Sequence, residues 1–149
     1  MPVDNFPKIY LYCRIVQAKL FIDRNYEESI DAGEIANEAC YSKFHFIRTF
    51  KIIYGKTPHQ YLTSVRIEKA KELLENGTSV TDACFSVGFE SLGSFITLFK
   101  RRAGLTPSEY RRKKLGRKQQ IIERPLSFVP GCFAEQIMRV KNSNFREVM

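Results

Sequence analysis

Apolar positions recur at helical intervals along most of the chain. In residues 7–23, Ile9, Tyr12, Cys13, Val16, Leu20 and Ile22 follow at spacings near three to four, which predicts an amphipathic helix with that stripe facing inward. The polar run Asn25 to Ser29 ends it. Asp31 is placed to cap a short helix over about 31–39, with Glu34 as its capping-box partner and Ile35, Ala36 and Ala39 on one side. After a turn at Cys40 and Tyr41, Ser42 caps a helix over about 42–54 that buries Phe46 and Phe50 and stops at Gly55. Thr57-Pro58 then starts a new helix, Thr as N-cap and Pro in the first helical position. Its apolar face, Tyr61, Leu62, Val65, Ala70, Leu73 and Leu74, runs up to Gly77. Ser79 or Thr81 opens a short helix to about Val87, and Gly88 turns the chain. Ser91 or Glu90 begins a helix with Phe95 and Phe99 inside, which Gly104 ends. Thr106-Pro107 begins the last clear helix, through Tyr110 into RRKK. No stretch alternates with period two for long enough to make a sheet, so the first 115 residues read as all-α with about seven helices. From Gly116 the chain is basic, then carries Pro125, Pro130 and Gly131. Residues 133–140 suit two helical turns, and three readings of the tail stay open: disorder, packing of Phe128, Phe133, Ile137 and Met138 on the domain, or dimerisation.

One phrase is written twice. FKIIYGKTPHQY, Phe50 to Tyr61, returns forty-nine residues later as FKRRAGLTPSEY, Phe99 to Tyr110, with six of twelve positions identical. The register extends upstream, Ser42 and Phe46 mapping onto Ser91 and Phe95. A short helix with a small inward residue, Ala36 or Cys84, precedes each copy. A helix pair of this size cannot bury its own phenylalanine stripe and needs the third helix that Thr-Pro starts. The repeat therefore reads as a helix-turn-helix unit built twice. The first occupies 1–56, a linker helix 57–77, the second 78–115, and a basic tail 116–149. A helix-turn-helix offers the exposed face of its second helix to the DNA major groove. The 18 residues His59 to Asn76 span about 27 Å. A rod of that length suits two recognition helices about one DNA turn apart, near 34 Å.

Charge sharpens the picture. The net charge is +8, and residues 100–124 hold ten Lys and Arg against two acidic residues, while the rest of the chain is close to neutral. Such clustering is the footprint of a polyanion partner, or else a solvated face. Cys13, Cys40, Cys84 and Cys132 are far apart in sequence. With only His45 and His59 beside them they form no zinc-type spacing, and the reading is unpaired thiols in a reducing, cytoplasmic setting. No cofactor is expected. No acid, base or nucleophile set converges, which argues against an enzyme. The N-terminus is interrupted by charges and reads as neither a signal peptide nor a membrane span.

The run IANEACYSKFHFIRTFKIIYGKTPHQYL, then RIEKAKELL, SVTDACFSVGFES and FKRRAGLTPSEYR, resembles the DNA-binding domain of AraC/XylS-type bacterial transcription regulators, over about residues 9–113. The resemblance implies two helix-turn-helix units on one long helix, binding asymmetric sites on double-stranded DNA. It also implies activation through contact with RNA polymerase. About eight residues precede the first predicted helix, so no small-molecule effector domain of the kind many relatives carry is expected ahead of it. On the first unit Lys43, Phe44, His45, Ile47, Arg48 and Lys51 are expected to face outward. The family places its base readers at the positions of Phe44, Ile47 and Arg48. Arg48 suits bidentate pairing with guanine, and Phe44 and Ile47 suit thymine methyls unless a neighbouring helix buries them. Lys43 and Lys51 suit phosphate. On the second unit Leu92, Gly93, Ser94, Ile96 and Thr97 are expected outward, followed by Lys100, Arg101 and Arg102. That face has few hydrogen-bonding groups, so the first unit is expected to discriminate bases and the second to hold phosphates. The rival expectation is a helix-turn-helix turned protein-interaction module, suggested by the apolar Phe44, Ile47 and Leu92.

Overall fold

Phe6–Asn25 forms the first helix, α1, in the computed structural model, which describes residues 6–31, 33–35, 42–133, 135 and 136. A helical turn at 33–35 follows. Then come α2 (Lys43–Tyr54), α3 (Pro58–Glu75), α4 (Val80–Ser86), α5 (Leu92–Ala103), α6 (Pro107–Glu123) and a 3-10 turn at Pro125–Phe128. No strand occurs among the described residues, and the class is all-α.

Two cores share α3. The first gathers Ile15, Ala18 and Ile22 of α1, Ile35 of the turn at 33–35, Phe46 and Phe50 of α2, and Leu62 near the start of α3. The second gathers Ile67, Ala70 and Leu74 from the rest of α3, Ala83 and Cys84 of α4, then Val87, Phe89, Phe95 and Phe99. Each fully buried phenylalanine contributes on the order of 2–3 kcal/mol. Neither unit can be lifted off α3 without exposing its own core.

The repeat builds the same parts twice. In the first unit Phe46 and Phe50 lie 5.7 Å apart, ring to ring, and Phe50 meets Tyr61 edge-on at 5.7 Å. In the second, Phe95 and Phe99 are 5.6 Å apart and Phe99 meets Tyr110 edge-on at 5.4 Å. Both tyrosines anchor a carboxylate on a neighbouring helix: Tyr61 donates to Asp23 at 2.9 Å and Tyr110 to Glu75 at 2.6 Å. A lysine neutralises each, Lys19 at Asp23 and Lys114 at Glu75. Gly55 and Gly104 close α2 and α5 at φ 69° and 76°. Thr57 and Thr106 head α3 and α6 with full capping boxes, Gln60 and Glu109 reaching back to the cap nitrogens. The Thr-Pro-x-Gln/Glu spacing of the sequence carries the same signal. The box at Asp31 and Glu34 is also present.

Four expectations need correction. Five of the six apolar positions assigned to the inside of α1 lie outside: Ile9, Tyr12, Cys13, Val16 and Leu20 are exposed, while Ile22 is buried as expected, together with Ile15 and Ala18. Helix α1 is apolar on two sides, so its periodicity fits two phases, and packing against α2 and α3 selects one. Ser42 precedes α2 in extended backbone, but its side chain makes no capping bond, unlike Ser91, which accepts from Ser94 N. Helix α6 continues through Gly116 to Glu123, because Lys114 and Lys118 bind Glu75 at the end of α3 and carry the helix beyond its apolar residues. Phe128 and Phe133 are exposed rather than packed. The expected inward placement of Ala36 and the packing of Ile137 and Met138 fall outside the described residues.

The Glu75 anchor sets an acid limit. Hydrogen bonds from Lys114 first and Tyr110 second hold its carboxyl below the ordinary 4.5. A depressed folded pKa adds stability above the unfolded value, lost as pH falls through the folded one. The urea midpoint is therefore expected to fall as the pH drops below about 4.5, and Glu75→Gln to flatten that part of the profile while lowering the midpoint at neutral pH. An unchanged profile in Glu75→Gln would show that another group sets the acid limit.

Candidate nucleic-acid interface

On α2 the phenylalanine stripe turns inward, which forces the opposite row outward. Phe44, Arg48 and Lys51, at i, i+4 and i+7, are exposed, with Phe44 86% exposed. Lys43 and His45 flank them and are exposed. Ile47 departs from expectation: it is half-buried against the first core, the outcome of an apolar side chain at the edge of the buried stripe. The accessible chemistry of α2 is thus one aromatic ring, one guanidinium, flanking lysines and an imidazole, with Ile52, 76% exposed, one turn beyond Arg48.

The same row on α5 is Gly93, Thr97 and Lys100, each exposed, with Ser94 exposed beside it. Leu92 and Ile96 are half-buried against the second core, not outward. Thr97 spends its hydroxyl proton on Gly93 O at 2.9 Å. A Cβ on Gly93 would meet nothing closer than Ser91 Oγ at 3.8 Å. This face is therefore low and nearly featureless, able to come close to a surface but short of donors that distinguish bases.

The basic cluster divides in two. Arg102 donates to Ser64 Oγ and to Gln60 O, the latter at 3.3 Å, fastening α5 to α3. Arg111 donates to Gly77 O at 2.8 Å, and Lys114 and Lys118 hold Glu75 and its carbonyl. These four cations tie the second unit to α3. Lys100, Arg101, Arg112, Lys113 and Arg117 stay exposed. Charge alone could not separate the two groups, because the ties depend on where the end of α3 lies.

The junction between the units has no signature in the sequence. Arg66 of α3 donates through Nε to Tyr26 O and through a terminal nitrogen to Glu28 O, both at 2.7 Å, and its guanidinium lies 5.7 Å from the Phe89 ring centre. Burial lowers its pKa, and the charge of Glu90 opposes that shift. Gly88, at φ 85°, packs so closely that a Cβ there would sit 2.5 Å from Glu27 O. Ser29 reaches Glu90 across the same seam at 3.4 Å. A cleft of about 310 Å³ opens between Leu62, Arg66, Ser91 and Ser94. The loop after α1 is thus bolted to the turn before α5, which ties the two exposed rows to one frame.

Among the described residues no group of three or more His, Cys, Asp or Glu could hold a metal ion, and no helix is long and apolar enough to cross a membrane. Cys13, Cys84 and Cys132 are unpaired, and burial pushes the Cys84 thiol up in pKa; Cys40 lies outside the described residues.

Two helix-turn-helix units on one connecting helix, each showing a row of exposed positions on its second helix, define a double-stranded DNA-binding domain. The family model described as a helix-turn-helix domain matches residues 35–113, more than half of the chain. The chain belongs to the AraC-type helix-turn-helix family. It is 34% identical over 100 residues to a helix-turn-helix transcriptional regulator of Pseudoalteromonas carrageenovora, covering 67% of this chain and 60% of that one. It is 31% identical over 112 residues to the transcriptional activator AarP of Providencia stuartii, covering 74% and 83%. Similarity to the Bacillus subtilis activator and DNA repair enzyme AdaA, 36% over 92 residues, reaches only 44% of that protein. The DNA-binding domain of AdpA, solved with a target DNA, superimposes with a TM-score of 0.64 at 27% identity, over 74% of this chain and 96% of that one.

Proposed function

We propose that this protein is a sequence-specific transcription regulator that reads an asymmetric DNA site with α2 in one major groove and α5 in the next. The single observation that carries the reading is the duplicated exposed row: Phe44, Arg48 and Lys51 on one unit, Gly93, Thr97 and Lys100 on the other. The relatives named as regulators, AarP as an activator, support it. The chemistry of the rows sets the division of labour. Arg48 pairs with guanine O6 and N7, and Phe44 packs on an adjacent thymine methyl. Gly93 lets α5 approach closely, while Lys100 and Arg101 hold phosphates. Activation follows from contact with RNA polymerase beside the bound site, with no chemistry performed on the DNA.

Selection of sites from random duplexes, followed by titration of Arg48→Ala and Arg101→Ala at several salt concentrations, tests this. Arg48→Ala is expected to cost about 2 kcal/mol at one base pair and to relax preference there. Arg101→Ala is expected to weaken all duplexes alike and to reduce the salt slope by about one. Arg101 is the better probe than Arg102, whose loss would also loosen α5 from α3. Failure of the wild-type chain to bind any duplex at low salt would overturn the reading in favour of a protein-interaction module.

A further inference from the structure

Helix α6 outruns the unit it completes. The family's helix-turn-helix pattern ends at residue 113, and α6 continues to Glu123. The extension is held firmly. Tyr110, Lys114 and Lys118, at i, i+4 and i+8, fasten one side of α6 to Glu75 at the end of α3. Positions two residues further on lie on the opposite side of a helix, so Arg112, Gly116 and Gln120 look away from α3, with Lys113 and Arg117 beside them. All five are exposed. Lys113 and Arg117 stand four residues apart, where like charges repel. Neither they nor Arg112 is in a salt bridge among the described residues.

Gly116 marks the middle of this face. Glycine inside a helix is less favourable than alanine. Nothing lies within 4 Å of where its Cβ would stand, so no close neighbour requires a glycine here. What the missing side chain does is lower the surface between Arg112, Lys113, Arg117 and Gln120. Lys113 and Arg117 are about 6 Å apart along the axis. That is close to the roughly 7 Å between phosphates two steps apart on one DNA strand.

The charges around this face point to what covers it. Residues 100–124 hold only two acidic groups, Glu109 and Glu123. Glu109 closes the capping box on Thr106, and Glu123 accepts from Gln119 Nε2 at 2.7 Å. Hydrogen bonds from Thr106 first, and then the charges of Lys100 and Arg112, hold the Glu109 carboxyl below its ordinary range. Glu109 therefore lies near both Lys100, in the exposed row of α5, and Arg112 on α6. Exposed Arg101 and Arg124 add charge of the same sign. The exposed Ile121 and Ile122 follow Lys118 by three and four residues, on the side of the ties, and leave this face polar. Positive charge thus runs without a break from the row of α5 onto the outer face of α6, and its complement is the DNA backbone that row already approaches.

We propose that the outer face of α6, centred on Gly116, holds the sugar-phosphate backbone of the duplex flanking the site of the second unit, with Arg112, Lys113 and Arg117 each meeting a phosphate. The inference rests on the DNA-reading proposal and extends it, lengthening the footprint and adding affinity without adding sequence preference.

Salt titrations on two duplexes test it: the selected site with about ten further base pairs beyond the second unit, and the same site trimmed there. The wild type is expected to bind the long duplex about tenfold or more tightly, with a steeper salt dependence. Changing Arg112, Lys113 and Arg117 together to Gln should remove that advantage and reduce the slope on the long duplex by about two to three, leaving the trimmed duplex and the base preferences as they were. None of the three is a tie to α3, so the urea midpoint should hold. Gly116→Leu is expected to keep or raise the urea midpoint, as a better helix former, while weakening the long duplex about tenfold. A triple variant or a Gly116→Leu chain that binds the long duplex like wild type overturns the proposal and leaves the face to another polyanion. An equal loss on both duplexes overturns it as well, by reducing these charges to a general field. A wild type that binds both duplexes equally overturns this inference alone, whereas one that binds no duplex at low salt overturns the DNA reading beneath it.

Discussion

Replacing Gly88 with alanine is expected to cost about 3 kcal/mol of stability, the sum of left-handed backbone strain and overpacking at a site that cannot relax cheaply. Its φ of 85° lies where a Cβ is strained whatever the surroundings. The surroundings add a second penalty: the nearest atoms to that Cβ are Glu27 O at 2.5 Å, Glu27 C at 2.9 Å and Tyr26 O at 2.9 Å, all backbone. A flexible side chain could swing away, but a peptide group moves only if the loop after α1 moves with it. Relief therefore requires the first unit to back away from the turn before α5. Urea denaturation checks the stability, and titration of a full site against either half-site checks the geometry. The full site should lose affinity beyond what either half-site loses, because the two recognition rows no longer share one frame. Stability within about 0.5 kcal/mol of wild type would show that the loop after α1 yields easily at this contact.

Arg66→Ala attacks the same joint from the other side and is expected to cost about 3 kcal/mol. Its guanidinium spans Tyr26 O and Glu28 O, each at 2.7 Å, and faces the Phe89 ring. Charge-assisted bonds of this length are among the stronger ones, and truncation leaves the Tyr26 carbonyl partly buried without its donor. Arg66→Lys is expected to recover little, since an ammonium is a point donor and cannot reproduce a planar fork across two carbonyls. Urea midpoints for the two variants, with half-site and full-site titrations alongside, decide the matter. Full rescue by lysine would reduce the role of Arg66 to its charge.

Both predictions rest on residues whose role the chain does not announce. Gly88 is legible as a turn, and that is half of its role; the other half is the close approach of Tyr26 and Glu27, more than sixty residues earlier. Arg66 looks like any cation on a helix surface until the loop it clamps is in place. The candidate site divides in the same way. Phe44, Arg48, Lys51, Thr97 and Lys100 are exposed, as their offset from the phenylalanines requires, because a helix that buries one stripe must expose the opposite one. Ile47, Leu92 and Ile96 sit at the edge of that stripe, where spacing alone does not choose between burial and exposure. There the neighbouring core takes up apolar side chains.

What the sequence determined by itself is local. Capping threonines, prolines at helix starts, glycines at helix ends and the phenylalanine period specify each helix through contacts within a few residues, and writing them twice specifies the scaffold twice. The tertiary structure decided which face of a two-sided helix is buried, as on α1, and which of a run of cations become ties, as with Arg102, Arg111, Lys114 and Lys118. Those choices depend on surfaces brought together from distant parts of the chain. A periodic pattern sets the spacing of a stripe, but only a packed neighbour sets its direction.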